Sequence, residues 1–240
     1  MVLNMKKIAN MKDHEIYSDI KVPLSSPILV RLDGRRFHTL TKVLNLERPY
    51  DESFSKIMAE TSKIFFKEFS PIFIYTFSDE FNILFENIPF SGRIEKLNSV
   101  FSSFISSTLT LKLDKSFKDK LKKPISFDSR LISLPKDKIA SYFKWRQDEA
   151  WRNHINAYGY WSLREDLSKD DAVEKLKGLK SKDIHEMLFK KGINLNNSPT
   201  WQKRGIAIYR NKKTDTKDEI YMDFNLKQFN EDSFDKLYFK

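Results

Sequence analysis

The chain has 240 residues, of which 40% are hydrophobic and 20 are Phe, enough to bury a sizeable core in one elaborated domain. Its 43 Lys and Arg outnumber 33 Asp and Glu for a formal charge of +10, a balance that favours polyanionic partners such as RNA and nucleotides. The absence of cysteine excludes disulfides, thiol catalysis and cysteine zinc sites. The apolar runs are too short for a membrane span and Met1 to Tyr17 lacks the apolar centre of a signal peptide, so a soluble cytoplasmic protein is expected.

In chain order, Pro27 to Leu32 is a short apolar run that reads as a strand ending in an Asp-Gly turn at Asp33-Gly34. Asp51 to Phe69 carries Phe54, Ile57, Met58, Thr61 and Phe65 at helical spacing, with Asp51 as cap or first-turn acid and Pro71 closing the segment. Ile72 to Phe77 and Phe81 to Phe85 are β-branched and aromatic, and only Ser78-Asp79-Glu80 separates them, so they read as a hairpin. A second amphipathic helix is expected over about Arg93 to Leu113, followed by a Lys-rich connector and a strand over Ile125 to Leu131.

The predicted order βαββαβ is that of a split ferredoxin-like α+β sheet, with a core over about 27–135 and a helical and β-hairpin elaboration over about 136–240 of a single domain. In such a unit the strand after the first helix runs parallel to the first strand, and the next one lies between them, antiparallel to both. The end of the first strand then adjoins the hairpin tip, so Asp33 should meet Asp79 and Glu80. Carboxylates held close in a cationic protein call for a cation. Hard divalent ions such as Mg2+ fit, since they take carboxylate and carbonyl oxygens and leave positions for phosphate. Asp-Gly and Asp-Glu are also common turn dipeptides, so each motif alone reads first as a solvated turn, and it is their pairing at one sheet edge, followed by Arg35 and Arg36, that points to a metal site.

Arg31-Leu-Asp-Gly-Arg-Arg-Phe-His38, Ser78-Asp-Glu80, Trp145-Arg-Gln147 and Gly205-Ile-Ala-Ile-Tyr-Arg210, in that order, resemble the tRNA-histidine guanylyltransferase superfamily, including its archaeal and bacterial members that repair truncated tRNA 5′ ends. The resemblance implies a polymerase-palm-like fold, a two-metal site and nucleotide addition in the 3′-to-5′ direction, with GTP and ATP as substrates, tRNA as partner and a homo-oligomer, a homotetramer in the family. Carried over by position, Asp33, the Gly34 carbonyl and Asp79 hold two Mg2+ ions and Glu80 supports them. Asp33, Gly34, Arg35, Arg36, Phe37, His38, Arg48, Asp51, Ser78 and Asp79 bind the nucleotide, and Arg31, Arg93 and Lys96 a second triphosphate.

Each of these has a plainer reading: Asp51 as a helix cap, Arg93 and Lys96 as a solvated first turn. The aromatics Trp145, Trp151, Tyr158, Tyr160 and Trp161 serve either as helix core or, among Arg146, Arg152 and Arg164, as RNA stacking surface, with Asn153 a further RNA candidate. Lys203, Arg204 and Arg210, at the approach to a hairpin and its Lys-rich loop, are further RNA candidates. After Trp-Arg-Gln the chain departs from the eukaryotic His-Ile-Asn-Asn pattern, with Trp151 at the histidine position and Asn153 at the first asparagine. Two alternatives remain at this stage: a nucleotidyl cyclase on a related sheet, and a non-catalytic RNA-binding module.

Overall fold

The structure is a computed structural model that describes residues 11–118, 120–210, 219–230 and 234. Its elements are β1 (Ile28–Gly34), α1 (Phe37–Val43), α2 (Glu52–Phe69), β2 (Phe73–Phe77), β3 (Glu80–Phe85), α3 (Ile94–Ser116) and β4 (Phe127–Ser133). These are followed by α4 (Ile139–Leu163), α5 (Lys169–Leu176), α6 (Ser181–Lys190), α7 (Thr200–Arg204), β5 (Ile206–Arg210) and β6 (Ile220–Asp223). Among the described residues, no helix is long and apolar enough to cross a membrane.

The strands form one sheet in the order β4-β1-β3-β2-β5-β6, antiparallel at every pairing. β3 therefore lies between β1 and β2, as the strand order in sequence predicts. Two local expectations are corrected. The Asp-Gly pair is not a turn: Asp33 stands opposite Glu80 on one side and Asp128 on the other, and Gly34 opposite Phe127. Strands on both flanks satisfy the backbone there, which overrides the turn preference of the dipeptide. The last core strand starts two residues later than expected, at Phe127, and α1 was not anticipated.

Side-chain alternation divides β1 between two layers. Ile28, Val30 and Leu32 are buried with Phe54, Ile57, Met58 and Phe65 of α2 and Leu97, Phe101 and Ile105 of α3. Edge contacts such as Phe65 to Phe101, 5.1 Å between centroids, consolidate that layer. Leu29 faces the other way, packed with Phe73, Tyr75 and Leu84 against Ile139, Ala140 and Phe143 of α4. Arg31 and Asp33 of β1, with Glu80 and Asn82 of β3, share this α4 face by the same alternation.

Gly205 joins α7 to β5 with φ 75° and ψ −168°, a backbone region that only glycine enters without strain. A Cβ there would lie 2.6 Å from the Tyr75 ring. Gly205→Ala is accordingly expected to destabilise the fold by about 2–4 kcal/mol. The urea midpoint measures this, and an unchanged midpoint would contradict the close approach.

Candidate active site

β1 delivers Asp33 to the sheet end where β2 and β3 turn through Ser78 and Asp79. The Gly34 amide donates to the Asp79 carbonyl at 3.1 Å, so the β1–β3 ladder runs one step past the Asp33 and Glu80 pair. Asp33 and Asp79 thus meet at one sheet edge. Ser78 opens the two-residue turn with φ 54°, the left-handed conformation that tight hairpin turns demand and that non-glycine residues seldom take. The Asp79 carboxyl is pushed up to about 6, first by burial and then by the Asp33 charge, with a smaller push from Glu80. Its own backbone amide and the Ser78 hydroxyl oppose the shift.

Glu80 is held differently. Arg146 of α4 grips it in a fork, Nε to Oε1 at 2.8 Å and Nη2 to Oε2 at 2.7 Å. Asn82 Nδ2 donates to the same Oε1 at 2.7 Å, and the Tyr142 hydroxyl donates to Asn82 Oδ1 at 2.6 Å. Arg146, expected to contact RNA, is an internal partner of Glu80 instead, with 16% of its side chain exposed. Its position on the inward face of α4 accounts for the difference.

A cleft of about 420 Å³ opens between Asp33, Asp79 and Glu80 on the sheet and Ala150, Asn153 and Ala157 on α4, within the range of small-molecule sites. Asn153, an RNA candidate from the sequence, lines this cleft. Tyr50 lies on its wall, stacked on the buried His154 with centroids 5.7 Å apart. Burial and the Lys203 charge push the His154 imidazole down to about 4, so it is neutral near pH 7, with Nε2 2.9 Å from the Ser198 hydroxyl. Trp151 and Tyr158 flank the same ring, and of this aromatic group Tyr50 is the member that lines the cleft.

The other expected nucleotide contacts divide. Arg35, Arg36 and His38 are exposed just beyond β1. Phe37 is buried, packed on Phe54 and Phe127 and across Gly34, where any Cβ would meet its ring at 2.4 Å. Its expected contact with the nucleotide is therefore corrected and falls to the exposed His38, because the Phe37 ring fills the core beneath the strand end. Asp51 caps α2, its Oδ1 accepting from the Phe54 amide at 2.8 Å and its Oδ2 from the Glu47 amide at 3.0 Å. Arg48 donates to the Thr41 hydroxyl at 2.9 Å and lies over the Trp161 ring.

Arg31 stands opposite Asn82 and Arg130 in mid-sheet, two residues before Asp33. Arg93 and Lys96 are not brought to this edge. They begin α3 just after β3 ends at Phe85, which pairs with Ile28, and Arg93 bridges Lys21. The length of β1, about 20 Å at 3.3 Å per residue, separates them from Asp33. Among the RNA candidates, Arg152 pairs with Glu149 and remains exposed. Lys203 and Arg204 donate to the carbonyls of Asn196 and Leu226, beside Gln147 and Trp151 in a smaller hollow of about 200 Å³. Arg210 lies over the Phe66 ring, and the Lys-rich loop at residues 211–213 lies outside the described residues.

Sequence reasoning missed Asp128, directly across from Asp33, and Arg130, across from Arg31 and 3.5 Å from Asp128. The alternation in Phe127-Asp-Ser-Arg130 was the available signal, but only the register shows whom it faces. Among the described residues, no group of three or more acidic or imidazole side chains is arranged to hold a metal. What the edge offers is two adjacent carboxylates, one of them with a pKa raised by burial and then by its neighbour's charge, and the Gly34 carbonyl. Such a set suits a hard cation that completes its shell with water or phosphate.

A family model described as tRNAHis guanylyltransferase matches residues 8–135, and a second, described as Thg1 C terminal domain, matches residues 137–236. The probable tRNA(His) guanylyltransferase of Drosophila melanogaster is 31% identical, over 77% of this chain and 67% of its own length. The tRNA(His) guanylyltransferase of Debaryomyces hansenii is 33% identical, over 76% and 73%. A solved bacterial tRNA(His) guanylyltransferase-like protein in complex with ATP superposes with a TM-score of 0.78 at 31% identity, over 94% of each chain. The Saccharomyces cerevisiae tRNA(His) guanylyltransferase superposes at 0.75 with 29% identity, over 85% and 93%.

Proposed function

Because the chain belongs to the tRNAHis guanylyltransferase family of enzymes, we propose that it adds nucleotides to the 5′ end of tRNA, extending the RNA in the 3′-to-5′ direction. The observation that carries this reading is the meeting of Asp33 and Asp79 beside a cleft, with Asp79 pushed up to about 6. The split βαββαβ sheet, with these acids at a strand end and a hairpin, fits a polymerase-palm arrangement. GTP and ATP fit as substrates, since the bacterial relatives were solved with each of them.

The 3′-hydroxyl of the incoming nucleotide forms a bond to the 5′-terminal phosphorus of the RNA. The leaving group is pyrophosphate from a 5′-triphosphate end, or AMP where ATP has activated a monophosphate; the hydroxyl proton goes to solvent. Two Mg2+ ions held by Asp33, Asp79 and the Gly34 carbonyl would supply hydroxyl activation and neutralise the departing charge. Ser78, at the turn, reaches a phosphate. Glu80, locked by Arg146, holds α4 over the acids, and Ala150, Asn153 and Ala157 roof the cleft. Family membership also supports a homotetramer.

Trp151 at the position of the eukaryotic motif's histidine favours template-dependent repair of several tRNAs over addition to histidine tRNA alone. The test is to incubate truncated tRNAs of several identities with all four nucleotides and sequence their 5′ ends. Template-matched additions on more than one tRNA are expected. A cyclic product from labelled GTP without RNA would replace this reading with a cyclase.

A further inference from the structure

A second hollow, of about 670 Å³, opens at the same end of the sheet, bounded by α1 and the loop that leads into β4. Phe37, Leu40, Val43, Leu121 and Ile125 form its apolar floor, and Val43 is 47% exposed. Arg35, Arg36, Lys122 and Lys123 rim it, all four exposed. The loop is pinned at both ends: the Arg35 amide donates to the Ser126 carbonyl at 2.9 Å, and Lys120 Nζ donates to the Leu44 carbonyl at 3.4 Å. Thr39 and Val43 line the hollow, whereas Thr41, which receives Arg48, points to the opposite side of α1 at 100° per residue.

The lining carries no carboxylate, in contrast to the catalytic cleft, which three carboxylates line. Lys56, Lys112 and Lys144 elsewhere sit within 2.6 Å of an acid. Four like charges around an apolar floor repel one another unless an anion lies among them. Besides the four cations, Thr39 and Ser126 are the polar side chains present, so the hollow offers no amide or carboxylate side chain to base edges and its cations are free to meet phosphates. Cations on a rim with apolar surface between them suit the phosphates and sugars of a nucleic-acid strand. Arg35 and Arg36 follow Asp33 by two and three residues, so a strand lying here runs directly to the catalytic edge.

We infer that this hollow docks the RNA backbone whose 5′ end is presented to Asp33 and Asp79, a deepening that rests on the function proposed above. Anisotropy of labelled truncated tRNA over about 50 to 200 mM salt tests it. Lys122→Ala/Lys123→Ala should lower the slope of log affinity against log salt by about 1.4 to 1.8, with affinity down about tenfold and GTP affinity unchanged. Val43→Glu, a substitution at an exposed position, should weaken RNA binding about fivefold with an unchanged melting temperature. Lys177→Ala/Lys190→Ala removes the same charge from just after α5 and from the end of α6 and should leave the slope as it is.

A wild-type slope in the Lys122/Lys123 variant, an equal loss in the Lys177/Lys190 control, or a parallel loss of GTP affinity would each overturn the docking site. The two readings fail separately. RNA binding that depends on Lys122 and Lys123 in a protein that adds no nucleotide to any RNA keeps the docking and removes the catalysis. Nucleotide addition with a wild-type KM for tRNA in the variant does the reverse.

Discussion

Asp79→Asn is expected to abolish nucleotide addition, by about a thousandfold or more, while making the metal-free protein more stable at neutral pH. The loss of rate follows from removing one of two carboxylates that would share the metals, where about 4 kcal/mol of transition-state stabilisation corresponds to that factor. The gain in stability follows from linkage. The Asp79 carboxyl rises from 3.8 to about 6 on folding, so the folded protein binds this proton more tightly than the unfolded chain does. Its contribution to stability is therefore fully present below the unfolded value and is lost as the pH climbs through about 6. At neutral pH the ionised group leaves a deficit of about 2–3 kcal/mol. Asparagine cannot ionise, keeps a polar group for Ser78, and should raise the melting temperature by about 4–12 °C. Saturating Mg2+ should raise the wild type in the same direction and leave the variant unmoved. A variant that melts lower than wild type at neutral pH would refute the burial and crowding of the Asp79 charge, and one that retains its rate would refute its role in holding the metals.

The convergence of those two residues was legible because it depends on the order of elements. The run Ile28 to Leu32, the helical stripe from Phe54 to Phe65 and the hairpin around Ser78 each carry a local period, and right-handed connection leaves few ways to assemble them. What local pattern does not encode is the partner a side chain finds on another element. Arg146 reads as one more cation beside a tryptophan, and its commitment to Glu80 appears only when α4 crosses the sheet. Phe37 sits in a motif whose neighbours are exposed, yet the missing side chain at Gly34 draws it inward. Arg93 and Lys96 occupy a helix start that suits phosphate, but β3 carries that helix start to the far end of the sheet. Asp128 lies inside the expected last strand, but only the pairing register with β1 sets it opposite Asp33.

The fork between Arg146 and Glu80 leads to the second large effect. Both side chains are largely withdrawn from water, at 16% and 14% exposure, so removing one leaves the other charge desolvated without compensation. Arg146→Met is expected to destabilise the protein by about 3–5 kcal/mol, whereas Glu80→Gln/Arg146→Met, with no charge left to strand, should recover most of that loss. A double-mutant cycle in urea should give a coupling of about 2 kcal/mol or more. The cycle also decides what Glu80 does. As the clamp that holds α4 over the acids, it is replaceable by a neutral pair that packs similarly, and the double variant should then add nucleotides within about tenfold of wild type. As a group supporting the metals directly, it is not replaceable, and the double variant would be stable yet as inactive as Asp79→Asn. The occupancy of both Glu80 oxygens by Arg146, with Asn82 donating to one of them, argues for the clamp: three N–H donors leave about one of the carboxylate's four lone-pair sites, and the paired guanidinium repels a cation there.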